Sequence, residues 1–463
     1  MNSTDIQIQK KVIGIRRENK NKWERRVPLI PSLCKKLLDN GIRVVVQPSK
    51  LRCFTDKQYA EQGCEISEDL SEASIILGVK EVPLNLLLEN KTYFFFSHTL
   101  KGQPHNMPLL KEILKKKIRL VDYECIKDTN PDPKKSQRLV AFGRFAGLAG
   151  TIDFLQGLGE FLLHKNLCTP FMHVGSSYMF PSVDDAKKAI ENIGLMIKNK
   201  LLPVELCPFI VGLTGTGRVS QGAKEILTLL PHEIIDADNL ESLFIDKTKV
   251  RRDIIYVTII ESKHMYRKTN DDIFDKNDFY SNPHLFKSIF AEKFVPYLSI
   301  LLHCIYWDPK SPRILTFEEA YELSKQKRFR LLGISDITCD LDGSIEILQK
   351  LTSIEDPFFT YDPLLRNFED DFENITNNSI LYHAVDHLPA EFPIDSSAYF
   401  SEKLYPFIEK VVNSKYPVDI EESLDLPREI YNACETSNGK ITPNFKYLYK
   451  ELSKYYPEFE SQI

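Results

Sequence analysis

Short runs of β-branched and aromatic residues alternate with amphipathic stretches along the first third of the chain, the rhythm of a parallel α/β layer. Val12–Ile15, Val44–Val46, Ile75–Val79, Tyr93–Phe96 and Ile118–Val121 predict strands. Between them, Pro31–Leu38 has apolar residues at helical spacing and stops at Asn40-Gly41, and Met107–Lys117 predicts another helix. Thr129–Gln137, rich in Asp, Pro and Lys, predicts a loop. From Ala141 to Gly150 small residues recur every three or four positions in a helical stretch that continues toward Leu163. That pattern suits a helix closely approached by other backbone, such as a connector packed between domains. A second α/β unit opens at Phe209–Gly212, with further strands expected at Glu233–Ile235, Leu298–Ile305, Leu331–Ile334 and Ser379–Val385. Tyr266–Lys287, polar and aromatic, reads as an excursion, and the chain from Ala398 onward is helical in pattern.

At 463 residues the chain exceeds what one core supports, so it divides into domains. Acidic and basic residues nearly cancel to a formal charge of −5, which argues against nucleic acid or an anionic membrane as the main partner. Nine cysteines form no Cys-x-x-Cys pair, so neither a disulfide framework nor a metal site is expected, and a reducing compartment is. The N-terminus has neither an apolar signal core nor an Arg-rich presequence, and no apolar run reaches the length of a membrane span. The expected location is the cytoplasm.

Gly215-Thr216-Gly217-Arg218-Val219-Ser220 directly follows a short apolar strand and opens a helical pattern. This is the setting of a dinucleotide-binding turn, in which glycines let the backbone approach a pyrophosphate at a helix N-terminus. Ser220 stands where a third glycine is usual, yet is small enough for close packing. Asp236, 21 residues after Gly215, follows the next expected strand, where an acid holds ribose hydroxyls and favours NAD; Arg218 instead suits the extra phosphate of NADP. The bland alternative is a tight turn without a ligand.

Polar residues also gather at the carboxyl ends of the first strands: Arg16-Arg17-Glu18, Lys80-Glu81, Ser97-His98 and Asp122-Tyr123-Glu124. In an open parallel sheet these ends share one edge, where ligands bind. Lysine, histidine and glutamate there suit general acid–base work, although each alone is more often a solvated loop residue or a cap.

Trp23-Glu24-Arg25-Arg26-Val27-Pro28, Gly78-Val79-Lys80-Glu81, Phe95-Phe96-Ser97-His98-Thr99 and Ala141-Phe142-Gly143 resemble the alanine dehydrogenase and transhydrogenase-like N-terminal domain. Within that superfamily the likeness is nearest to the lysine-ketoglutarate reductase half of α-aminoadipic semialdehyde synthases. Thr169–His173, Thr214–Gly217, Gly343–Glu346 and Asp386–Ala390 extend it from about Val12 to about Tyr447. The resemblance implies two doubly wound Rossmann-like domains with the active site in the cleft between them. Residues 1–145, completed by 386–463, would be the catalytic domain, 146–205 connector helices, and 206–385 the dinucleotide-binding domain.

The implied reaction joins L-lysine to 2-oxoglutarate and reduces the imine to saccharopine with NADPH, NADH being the alternative. The resemblance makes Lys80 and His98 the acid–base pair, tuned by Glu124. It assigns substrate contacts to Arg26, Gln103, Arg138, Phe142, Thr338, Cys339 and Asp340. Cofactor contacts fall on Gly215, Gly217, Arg218, Val219, Ser220, Asp236, Tyr306, Ile337, Asp386, His387 and Leu388. Fused relatives carry a second dehydrogenase beyond the position of Ile463, which implies coupling to a separate glutamate-forming saccharopine dehydrogenase. Competing expectations are an NAD-dependent L-lysine-forming saccharopine dehydrogenase, another amino-acid dehydrogenase of this fold, or a non-catalytic metabolite sensor.

Overall fold

The computed structural model describes residues 11–130, 136–245, 248, 250–270 and 273–462. Residues 1–10 and 131–135, the latter within the expected Thr129–Gln137 loop, therefore lie outside the described residues, as do 271 and 272 of the expected excursion. The chain divides into two compact units, Met1–Phe142 with Pro393–Ile463, and Gly143–Phe392.

The first unit contributes β1 (Val12–Ile15), β2 (Arg43–Val46), β3 (Glu65–Ile66), β4 (Ile75–Leu77), β5 (Thr92–Phe95) and β6 (Arg119–Asp122). The second contributes β7 (Ile210–Thr214), β8 (His232–Ile234), β9 (Ile255–Ile260), β10 (Tyr266–Lys268), β11 (Phe286–Ser288), β12 (Ile300–His303), β13 (Gly333–Asp336), β14 (Phe358–Asp362), β15 (Asn367–Glu369) and β16 (Ile380–His383). β17 (Cys434–Ser437) and β18 (Lys440–Ile441) return to the first unit.

One sheet has the order β18-β17-β6-β5-β4-β1-β2-β3, the other β15-β14-β16-β13-β12-β7-β9-β8. β1 to β6 pair in parallel, and the antiparallel β17 closes the β6 edge. The fold is thus α/β, built on two largely parallel eight-stranded sheets. In the first sheet Ile13, Val44 and Phe94 enter one core while Val12, Val45 and Tyr93 enter another on the opposite face. Burial of both faces explains why these strands read as continuous apolar runs.

One expectation needs correction, and two details join it. The stretch after Ala398 is not helical throughout: the helix Pro393–Val411 covers one core of the first sheet, and β17 and β18 follow it. β9 and the β14–β15 pair are strands that the sequence pattern left unassigned. The excursion is a small hairpin, β10 against β11, whose Tyr266, Phe279 and Phe286 are buried in the core of the second unit.

Small residues in the helix Gly143–His164 serve close packing within the second unit. A Cβ at Gly147 would lie 1.9 Å from the Val219 carbonyl oxygen, and one at Gly222 would lie 2.0 Å from that of Arg144. Backbone therefore meets backbone between this helix and the helix Arg218–Leu227. The same helix buries Asp153 beside Glu391, and burial pushes the Asp153 carboxyl up to about 6. A carboxyl raised in the folded state stabilises below its unfolded pKa and loses that contribution as pH rises through the folded one. The urea midpoint of the chain should therefore fall between about pH 4 and pH 6, and Asp153→Asn should flatten that slope.

Candidate active site

β6, β5, β4 and β1 are consecutive in the first sheet, so Glu124, His98, Lys80 and Arg16, each placed after one of these strands, share its carboxyl edge. Glu18 braces the middle of this row. Its carboxylate accepts the backbone N–H groups of Val79 (2.7 Å) and Lys80 (3.0 Å). The Lys80 side chain acts electrostatically on Glu24, a buried carboxyl that pairs with Arg26. Burial works against ionisation of Glu24, but the Arg26 charge and hydrogen bonds outweigh it and hold the carboxyl below its ordinary value.

His98 Nδ1 lies 2.7 Å from Glu81 Oε1, and the other carboxylate oxygen, Oε2, pairs with Lys20 at 3.3 Å. Burial opposes the charge on Glu81; the His98 ring and neighbouring donors overcome it and bring its pKa to about 2. The pair fixes which ring nitrogen remains for chemistry, Nε2. Glu124 Oε1 pairs with Arg138 at 3.2 Å, while its Oε2 is buried with no hydrogen-bond partner among the described residues.

Arg26 spends Nε and Nη2 on Glu24, leaving Nη1 to meet a ligand. Its guanidinium lies 4.3 Å above the Phe142 ring, which stacks on Phe400 at 4.4 Å. Gln103 is exposed, immediately after Gly102.

In the second unit Gly215 takes φ +77°, a backbone state that favours glycine, and Gly217 caps the helix Arg218–Leu227 with open space where a Cβ would sit. Ser220 fits the third position because it is buried and donates to the Gly215 carbonyl at 2.7 Å. Val219 is the residue against which Gly147 packs. Arg218 Nη1 is buried without a hydrogen-bond partner among the described residues. These features fit a pyrophosphate-bearing dinucleotide: a bare turn, a helix N-terminus and an unsatisfied cationic donor.

Asp236 follows β8, but β8 is the outer edge and β9 lies between it and β7. Tyr306, after β12, is exposed, whereas Ile337 and Leu388 are buried beside Gly150. Asp336 ends β13 and organises the next turn, accepting from Thr338 Oγ1 (2.7 Å) and the Cys339 N–H (3.3 Å). Asp340 Oδ2 accepts from the Trp307 N–H at 3.4 Å. His387 Nδ1 pairs with Asp386.

The chain is similar to several known proteins. Residues 14–149 match the alanine dehydrogenase/PNT N-terminal domain. Over 467 residues the chain is 40% identical to the α-aminoadipic semialdehyde synthase of Arabidopsis thaliana, covering 97% of this chain and 42% of that protein. The mitochondrial α-aminoadipic semialdehyde synthase of Mus musculus is 37% identical over 454 residues, 95% of this chain and 48% of the relative. The chain thus spans less than half the length of these curated relatives. Among solved structures an L-alanine dehydrogenase superposes with a TM-score of 0.57 at 16% identity, over 95% of this chain and 99% of that one, which supports the fold.

Behind the His98 turn, the first unit buries a network that motif reading misses. His98 takes φ 57°, and Asp122 Oδ2 accepts the N–H groups of Ser97 (2.8 Å) and His98 (3.2 Å). The Ser97 hydroxyl donates to the same oxygen at 2.6 Å, and Thr99 Oγ1 donates to Glu435 Oε2 at 2.6 Å. Burial pushes both Asp122 and Glu435 upward, and the Asp122 charge raises Glu435 further. Glu435→Gln should then hold stability within about 1 kcal/mol, whereas Glu435→Ala should cost about 1–3 kcal/mol by stranding buried hydroxyls. Urea unfolding of the two variants checks this. Glu435 escapes motif reading because nothing in its local sequence, Cys434-Glu435-Thr436-Ser437, announces partners more than 300 residues earlier.

Proposed function

We propose that the chain is a lysine-ketoglutarate reductase, which condenses L-lysine with 2-oxoglutarate and reduces the imine to saccharopine, the first step of lysine degradation. The observation that carries this reading is the row of Lys80, His98 and Glu124 on adjacent strand ends, each beside a charged partner. Similarity along nearly the whole chain to part of α-aminoadipic semialdehyde synthases supports it.

In this mechanism His98, oriented by Glu81, takes a proton from the ε-ammonium of lysine as the amine attacks the keto carbon. A second proton passes from the attacking nitrogen to the alkoxide to give the carbinolamine, and His98 then returns its proton to that hydroxyl, which leaves as water and leaves the iminium. General acid–base catalysis of this kind needs a group that both donates and accepts near neutral pH, which histidine does. Lys80 holds positive charge next to the reacting carbon, and Glu124 balances it. Arg26 and Arg138 hold substrate carboxylates, with Gln103 and Phe142 framing them, because a guanidinium binds carboxylate through parallel hydrogen bonds. When bound, NADPH supplies the hydride.

NADPH is preferred because Arg218 offers a buried, unsatisfied donor, whereas Asp236 follows a strand one removed from the glycine turn. Asp236 nevertheless favours a second reading, an NAD-dependent enzyme that forms lysine from saccharopine. Absorbance of the nicotinamide at saturating lysine and 2-oxoglutarate, with NADPH and NADH in parallel, tests both. Oxidation that requires both substrates supports the reductase, and none with either cofactor, from folded protein, rejects it. Arg218→Ser should raise KM for NADPH about 10- to 100-fold and leave that for NADH nearly unchanged, the size of one charge-assisted hydrogen bond.

A further inference from the structure

A cavity of about 250 Å³ opens in the first unit near the carboxyl ends of β1, β2 and β3. Its polar side includes Arg16, Asn19 and Asp69, and its apolar side Leu70, Ile76 and Leu86. Between β4 and β5 the connection carries only a short 3-10 turn, Leu84–Leu86, where a doubly wound sheet ordinarily lays a helix. Leu86 is half exposed. The volume suits a molecule of amino-acid size and is too small for a dinucleotide.

Arg16 gives the cavity its chemistry. Its side chain is 5% exposed, and Nη2 donates to Asn19 Oδ1 at 2.8 Å. Nη1 makes no hydrogen bond to a described residue; Glu18 Oε1 is 3.6 Å away. The Arg16 guanidinium is a cation on the cavity wall, and a carboxylate that reaches it forms a charge-assisted hydrogen bond. Gly78 leaves room for this arrangement, because a Cβ there would sit 3.0 Å from Arg16 Cδ. On the same wall Glu68 is paired with Arg17 at 2.6 Å, which leaves Asp69 as the carboxylate that disfavours a purely anionic ligand. A zwitterion with an apolar side chain matches all three kinds of wall.

We propose that this cavity is a regulatory site for a free aliphatic α-amino acid, with its carboxylate on Arg16, its ammonium near Asp69 and its side chain on Leu70, Ile76 and Leu86. Arg16 connects the site to Lys80. It is the cation beside Glu18, and Glu18 holds the backbone of Val79 and Lys80. A carboxylate on Arg16 competes with Glu18 for the guanidinium, which loosens or re-aims the turn that carries Lys80.

The binding claim stands alone; the regulatory claim rests on the reductase reading above. Titration calorimetry of the full chain with L-leucine, which is not a reactant, tests the first. Saturable binding is expected, weakened at least about tenfold by Arg16→Met, by cavity-filling Leu86→Trp, and by replacing L-leucine with leucinamide, which lacks the carboxylate. No binding by folded wild-type protein, or equal binding by Arg16→Met, overturns the site.

Bound L-leucine should also change kcat for lysine-dependent NADPH oxidation at least about threefold, with KM for NADPH unmoved and no effect in Leu86→Trp. Binding without any change in kcat overturns the regulatory role. Oxidation without L-leucine binding sinks this proposal and leaves the reductase standing. Binding by a chain that never oxidises NADPH does the reverse.

Discussion

Lys80→Met is expected to lower kcat for lysine- and 2-oxoglutarate-dependent NADPH oxidation by about 10²–10⁴-fold, the range that one positioned acid–base or charged group supplies. The turn itself should survive the change. Glu18 grips it through main-chain N–H groups, which methionine keeps, and Arg26 continues to neutralise Glu24. KM for NADPH should stay within about twofold, because the interaction removed is one made in the transition state. Steady-state kinetics with circular dichroism on the same sample decides the matter. A drop of less than about tenfold in a folded variant removes Lys80 from the chemistry.

Gly147→Ala is expected to be the most damaging single methyl in the chain, costing about 3 kcal/mol or more, at or beyond the upper end of ordinary overpacking. The new Cβ would meet Val219 oxygen at 1.9 Å and Ala223 nitrogen at 2.7 Å, both backbone, so no rotamer change relieves it. The helices must separate. Since Val219 follows Arg218 directly, separation also shifts the glycine turn. The expected result is a lower urea midpoint together with a raised KM for NADPH, and Gly222→Ala should reproduce both. A variant with the wild-type midpoint would show that the helix pair tolerates a wider spacing.

Sequence and structure agree best where chemistry is local. The parallel strands of the first sheet read clearly because both faces are buried, and the glycine turn reads clearly because its backbone demands fall on adjacent residues. The carboxyl-edge row was legible too, since each strand ends in a charged residue, although only the pairing order makes Lys80, His98 and Glu124 neighbours. Elsewhere the controlling interactions are distant. The place of β9 between β7 and β8 is set by ladders no local pattern encodes, so the distance rule points to Asp236 without revealing the intervening strand. β17 looks polar, and its side chains are satisfied by residues near the other end of the chain: Glu435 by Thr99, and Thr436 by the Ile118 carbonyl. The cysteines carry little information of this kind: all nine are free thiols.

The pairing of β6 with β17 joins residues more than 300 positions apart, and the whole second unit is threaded between them. During synthesis, therefore, the ribosome has already released Gly143–Phe392 before the partner of β6 exists. The second unit has all its strands in hand and can fold first, while β6 waits as an open edge with unpaired N–H and C=O groups, the kind of template on which chains aggregate. Slow passage through the codons for Cys434–Ser437, or a stop upstream of them, would prolong that exposure, so the yield of folded protein depends on this short strand far more than its distance from the chemistry suggests.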